Sequence, residues 1–206
     1  MKIYTKKGDG GQTHLATGAR VSKNHLRVDL YGNVDELNSC IGVALAALRE
    51  HGDGARPAPA FEHLAAELQD TQNILFELGS ELAGYKPKNE AGETAATVFR
   101  EDDITGLEAA MDRMSERLEP MRSFILPGGT PASAQLQVCR TICRRLERML
   151  VEARSGAVGN QDENGIIVHD LALQYTNRLS DYLFIAARYA NHLAGVDDIR
   201  WTSRSK

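Results

Sequence analysis

The chain is poor in the residues that build metal clusters, disulfide frames and membrane spans. Its 206 residues hold three cysteines, Cys40, Cys139 and Cys143, with no Cys-x-x-Cys pair. An odd, sparse set of this kind predicts reduced thiols and a cytoplasmic setting. Cys139 and Cys143 could face a metal together, but no histidine or acid cluster joins them in sequence. Core packing is the expectation for both. Glu-x-x-His pairs are missing, which argues against a ferritin-like metal oxidase. No apolar run approaches the roughly 18–20 residues that cross a bilayer. The opening MKIYTKKGDGG lacks the apolar segment of a secretory signal. No glycine-rich loop ends in GKS or GKT, and no dinucleotide fingerprint has its third glycine. The formal net charge of −4 argues against nucleic acid as a partner.

What remains is helix-forming. Hydrophobic residues make up 42% of the chain and aromatics only 6%, with much alanine and leucine. The most informative stretch is Cys139–Arg154, CRTICRRLERMLVEAR. At roughly 100° per residue, Cys139, Ile142, Cys143, Leu146, Met149 and Leu150 share one face. Arg140, Arg144 and Arg148 recur every fourth residue and form a ridge on another. Only Glu147 interleaves an acid, and Arg145 adds a further positive charge. Such a ridge is either a solvated basic face or a clamp for a polyanion, since guanidinium forks match phosphate oxygens.

The remaining helices follow from spacing. One spans Tyr31 to Glu50, capped by Asn33 with Glu36 in a capping-box position. Asp35 then lies in the first turn, either compensating the helix dipole or meeting an arginine across a contact. A second runs from Ala60 to Leu82 and stops at Gly84. A third covers Asp102 to Leu118, before Pro120. Thr130 and Pro131 start the fourth, which carries the ridge. The last spans Ile166 to Leu193; on it Arg178 and Asp181 can satisfy each other, while Asn177 has no partner nearby in sequence. Ser123–Gly129, SFILPGG, is an apolar piece broken by a rigid turn. Phe124 there either plugs the bundle or faces a large apolar ligand. The glycine-rich arm Ile3–Arg27 reads as a flexible terminus or as a backbone cradle for a ligand. No strand pattern stands out, so the fold class is all-α: a five-helix bundle.

Five motifs occur together and in order: YTKKGDGGQT (Tyr4–Thr13), RVDLYGNVDELNS (Arg27–Ser39), FILPGG (Phe124–Gly129), CRRLER (Cys143–Arg148) and NRLSDYLFIAARYAN (Asn177–Asn191). Nearly end to end, the chain resembles the PduO-type ATP:corrinoid adenosyltransferases. The resemblance implies a homotrimer of five-helix subunits with active sites between neighbours. It implies transfer of the 5′-deoxyadenosyl group of ATP to the cobalt of cob(I)alamin, with magnesium accompanying ATP and triphosphate leaving. An electron-donating reductase is an implied further partner; neither nucleic acid nor membrane is. Residues 1–206 would form one domain, with an ATP-binding arm over 1–30, a bundle over 31–195 and a tail over 196–206.

The same resemblance allocates roles. Thr5, Lys6, Lys7, Gly8, Thr13, His14 and Lys23 fall in the ATP-binding arm. Arg144, Arg145, Glu147 and Arg148 fall in the phosphate-contacting segment, with Arg144 on the terminal phosphates. Asn177 matches a nucleotide contact. Asp35 and Arg140 match an acid–arginine pair across the subunit interface. Phe124 matches an aromatic beneath the corrin that displaces the lower cobalt ligand.

Overall fold

The computed structural model describes residues 3–4, 6–52, 54–88, 91–156 and 166–204. Thr5 lies outside these residues, as does the stretch 157–165 ahead of the last helix. Five α-helices are present: α1 (Leu26–Arg49), α2 (Glu62–Leu82), α3 (Glu101–Ser115), α4 (Pro131–Ser155) and α5 (Asp170–Leu193). A 3-10 turn, Pro59–Phe61, leads into α2. Two short strands, β1 (Gln12–His14) and β2 (Arg20–Ser22), pair antiparallel with Thr13 opposite Val21.

The helix α4 lies at the centre, packed against α5 on one side and α1 on the other. Its inner face follows the expected period: Cys139, Cys143, Leu146 and Leu150 are buried. They meet Leu37 and Ile41 of α1 and Leu179 and Leu183 of α5 in one apolar cluster. Each fully buried leucine contributes about 1.5–3 kcal/mol relative to exposure. Burial raises the Cys139 thiol to about 12 and pushes Cys143 well up too. Cys143 also donates its Sγ hydrogen to Thr176 O at 3.2 Å. Both therefore behave as core residues, as their positions suggested. The start of α4 matches its sequence as well. The Thr130 hydroxyl accepts from Ser133 N at 3.1 Å, Pro131 follows, and Gly156 closes the far end at φ 69°.

Other boundaries moved. The first helix begins at Leu26, not at Tyr31, and its cap is His25, whose Nδ1 accepts from Arg27 N at 3.1 Å. Leu30 and Val34 continue the buried stripe toward the N-terminus, so packing extends the helix past Asn33. Asn33 thus lies inside the helix, and Asp35 is well beyond the first turn, which removes its dipole role. Arg27, although charged, is buried; its Nη1 donates to Leu82 O at 3.0 Å and caps the end of α2. The third helix ends at Ser115, and tighter turns carry the chain on to Leu118. The last helix begins at Asp170 under a His169 cap, while Ile166 and Val168 are buried in extended chain ahead of it.

The N-terminal arm is more ordered than a bare flexible terminus. Its hairpin docks through buried Leu15, and Ala16 N donates to Ala83 O at 3.0 Å. Strands of three residues are too short for an alternating pattern to show in sequence. Among the described residues, no helix is long and apolar enough to cross a membrane.

Candidate functional site

The arginine ridge divides by direction. Arg144 and Arg148 are exposed on the outer face of α4, and Arg148 Nη1 donates to Arg144 O at 3.0 Å. Among the described residues Arg144 forms no ion pair. Arg140 is half-buried, with Nε donating to Gln137 Oε1 at 2.8 Å. Burial first, and then the neighbouring Arg144 charge, lower its affinity for its proton. Arg145 points elsewhere. It pairs with Glu36 of α1 and donates from Nε to Asn33 Oδ1 at 2.9 Å. The structure therefore joins Arg145 to the α1 contact and not to the ridge. The acid and amide read in sequence as a cap are its partners.

The partner of Asn177 is Glu147, whose Oε1 accepts from Asn177 Nδ2 at 2.8 Å. With Arg144, Arg148 and Val151 these two line a depression of about 340 Å³. A second hollow of about 460 Å³ lies beside it, between α3, α4 and α5, lined among others by Arg140, Arg144 and Asp181. Arg144 lines both, so one unpaired guanidinium joins two adjacent cavities. Arg178 is spent on Glu108 at 2.9 Å as well as Asp181 at 3.6 Å.

Asp35 is exposed on α1 and does not meet Arg140 within the chain.

The arm gathers its own cations. Lys6 holds a left-handed conformation, φ 59°, next to the turn at Lys7 and Gly8. Lys23 folds over that turn: a Cβ built on Gly8 would lie 3.4 Å from Lys23 Nζ. Gly8 O and Gly11 O accept from Gly11 N and Lys23 N at 3.1 and 2.9 Å, which closes the loop. Thr13 is half-buried and His14 exposed on β1. The Lys23 ammonium thus lies over a glycine turn, an arrangement suited to an anion.

Phe124 is 74% exposed at the end of the bundle. Its ring meets Trp201 edge-on, with centroids 6.4 Å apart and planes at 76°. Sequence reasoning passed over Trp201, which lies in a tail without periodicity. A lone tryptophan beside an exposed apolar motif was the available signal.

Comparison with known proteins completes the picture. The family model described as cobalamin adenosyltransferase matches residues 3–190. The corrinoid adenosyltransferase of Bacillus subtilis is 40% identical over 201 residues, covering 98% of this chain and 92% of that one. The human corrinoid adenosyltransferase MMAB is 38% identical over 189 residues, covering 92% of this chain and 68% of its own. A variant PduO-type ATP:corrinoid adenosyltransferase from Lactobacillus reuteri, solved with cobalamin and ATP, superposes at a TM-score of 0.79. Its identity is 34%, and the match covers 98% of this chain and 97% of that one. With a family model spanning nearly the whole sequence and solved relatives of the same shape, the chain belongs to the cobalamin adenosyltransferase family.

Proposed function

We propose that this protein transfers the 5′-deoxyadenosyl group of ATP to the cobalt of cob(I)alamin, giving adenosylcobalamin and triphosphate. The observation that carries the reading is the unpaired Arg144 guanidinium, which lines two adjoining cavities on the outer face of α4. The reduced cobalt supplies the electron pair that attacks C5′, so the protein needs no nucleophile of its own. Its task is to bind, orient and stabilise charge on the leaving triphosphate.

In this reading Arg144 and Arg148 hold the phosphates, and Asn177, oriented by Glu147, contacts the nucleotide. Magnesium arrives with ATP. Arg145 acts one step removed, by fixing α4 against α1. The arm ahead of α1, through Thr5, Lys6, Lys7, Gly8, Thr13, His14 and Lys23, contacts the phosphates of a site shared with a neighbouring subunit. The chain assembles as a trimer, in which Asp35 of one protomer meets Arg140 of the next. Residues 26–195, from the start of α1, form the bundle of a single domain, and 196–206 its tail. Phe124 lies beneath the corrin and excludes the lower axial base. A reductase delivers the electron that makes Co(I).

The test mixes protein, MgATP and chemically reduced cobalamin, and follows the spectrum of the cobalt–carbon bond. Stoichiometric triphosphate and growth of that spectrum are expected. Binding of both substrates without either product would leave a carrier or sensor in place of an enzyme.

A further inference from the structure

With 74% of its surface exposed, Phe124 is not positioned by packing around its own side chain. Its backbone is held instead. Leu126 N donates to Ile199 O at 2.7 Å and Trp201 N donates to Phe124 O at 2.8 Å. Residues 124–126 therefore pair antiparallel with 199–201. A pairing of two such short segments does not hold itself together in water. Both segments need fastening to the bundle.

Three polar side chains supply it. Arg188 and Asn191 lie one turn apart on α5 and are only 9% and 3% exposed. Asn191 Oδ1 accepts from Thr130 N at 2.9 Å and from Thr130 Oγ1 at 3.3 Å. Its Nδ2 donates to Gly128 O at 3.2 Å and to Asp198 Oδ1 at 3.3 Å. Arg188 Nε donates to Asp198 Oδ2 at 2.7 Å, and a second guanidinium nitrogen donates to Glu119 O at 2.8 Å. Glu119 precedes the Phe124 segment, Gly128 and Thr130 follow it, and Asp198 precedes the strand beside it. Gly129 shows how closely the turn sits on the amide. Its φ is +97°, and a Cβ there would lie 2.3 Å from Asn191 Oδ1.

A buried arginine–aspartate pair adds little net stability over apolar residues of the same volume. What it does supply is direction. A buried network whose members are all satisfied admits one arrangement and makes it rigid.

We propose that Arg188, Asn191 and Asp198 are positioning residues for the reaction. They clamp the chain before Phe124, the turn after it and the strand alongside, and so present the exposed ring in one orientation. They act through Phe124 and touch no substrate. The proposal rests on the reading of Phe124 as the residue beneath the corrin.

Trp201, the single tryptophan, makes the clamp observable without substrate. The full chain is compared with Asp198→Ala, Asp198→Asn, Gly129→Ala and Phe124→Ala. Three readouts are taken: acrylamide quenching of Trp201, ATP affinity, and the nitrogen splitting in the electron paramagnetic spectrum of cob(II)alamin with ATP. That splitting reports whether the axial base remains on cobalt. Asp198→Ala is expected to raise quenching about threefold and lower the axial-base-free fraction about tenfold, the usual scale for losing a charged hydrogen bond. ATP affinity should stay within about twofold, because the ridge is untouched. Asp198→Asn, which keeps an acceptor for Asn191, should fall between. Gly129→Ala, which displaces Asn191 and changes no charge, should reproduce Asp198→Ala.

Parental quenching and parental axial-base fraction in both Asp198→Ala and Gly129→Ala would overturn the proposal. So would a loss of ATP affinity in step with the other readouts, which marks general destabilisation. If Phe124→Ala itself leaves the fraction at the parental level, the reading of Phe124 fails and the proposal with it. If Phe124→Ala lowers the fraction while the clamp variants do not, the reading stands and the proposal alone is lost.

Discussion

Asn177 and Glu147 meet across the seam between α4 and α5, amide to carboxylate, at 2.8 Å. The contact occupies the one acid interleaved in the arginine ridge. Arg144, three residues before Glu147, is left without a carboxylate among the described residues and lines the hollows on both sides of it.

Arg144→Ala should therefore reduce turnover far more than stability. Loss of one group that stabilises developing charge is expected to lower kcat by about 10²–10³-fold. Because Arg144 is exposed, the melting temperature should move by no more than about 2 °C. Steady-state kinetics and a thermal melt check the two arms, and an unchanged rate would remove Arg144 from the phosphate site.

Asp35→Asn tests assembly. Among the described residues Asp35 forms no ion pair and Arg140 is bonded to Gln137, which leaves both for the proposed pairing between copies. If the chain assembles as proposed, the substitution should weaken the proposed trimer, seen as a lower mass in sedimentation at micromolar protein. Exchanging the two charges, Asp35→Arg with Arg140→Asp, should recover part of the loss. Parental mass and parental activity in Asp35→Asn would count against the pairing.

Phe124→Ala should slow reaction from cob(II)alamin more than from prereduced cob(I)alamin, by about tenfold in the ratio. The ring is exposed, so its removal leaves the core intact. Equal slowing from both oxidation states would argue against a wedge.

The buried thiols give a pH dependence. The folded-state value for Cys139 rises from 9.0 to about 12, and that for Cys143 rises further, both chiefly through desolvation. Each contributes its full share of stability below about pH 9, because neither state is then ionised. Above that pH the unfolded chain releases protons that the folded chain keeps. Stability should fall with pH until about 12, by about 1.4 kcal/mol per pH unit per thiol. Urea midpoints between pH 8 and 10.5 should show the slope. A Cys139→Val, Cys143→Val double variant should flatten it up to about pH 9.5 and leave the steeper part near pH 10, where the buried Tyr175 and Tyr182, also pushed up by desolvation, add their own share.

Much of the bundle was legible in the chain itself. Period alone identified the buried face of α4, and Thr130 with Pro131 marked its start, because local capping chemistry and helical spacing operate over a few residues. The start of α1 was not legible. Arg27 at its start bonds to Leu82 at the end of α2, a link that spans 55 positions. The candidate site divides in the same way. That Arg144 and Arg148 share a face follows from spacing. That Arg145 turns to Glu36 depends on which helix packs beside α4.

The sequence by itself determined the helices, the thiol core and the ridge, since each depends on neighbours within about one helical turn. Only the tertiary structure decided which arginine has no carboxylate among the described residues, that the arm folds as a hairpin, and that Arg188 and Asn191, joined through Asp198, bond to Glu119, Gly128 and Thr130 on either side of Phe124. Those outcomes depend on partners beyond one helical turn, as far as 69 positions for Arg188 and Glu119, and no local pattern encodes which polar groups become neighbours once water is excluded.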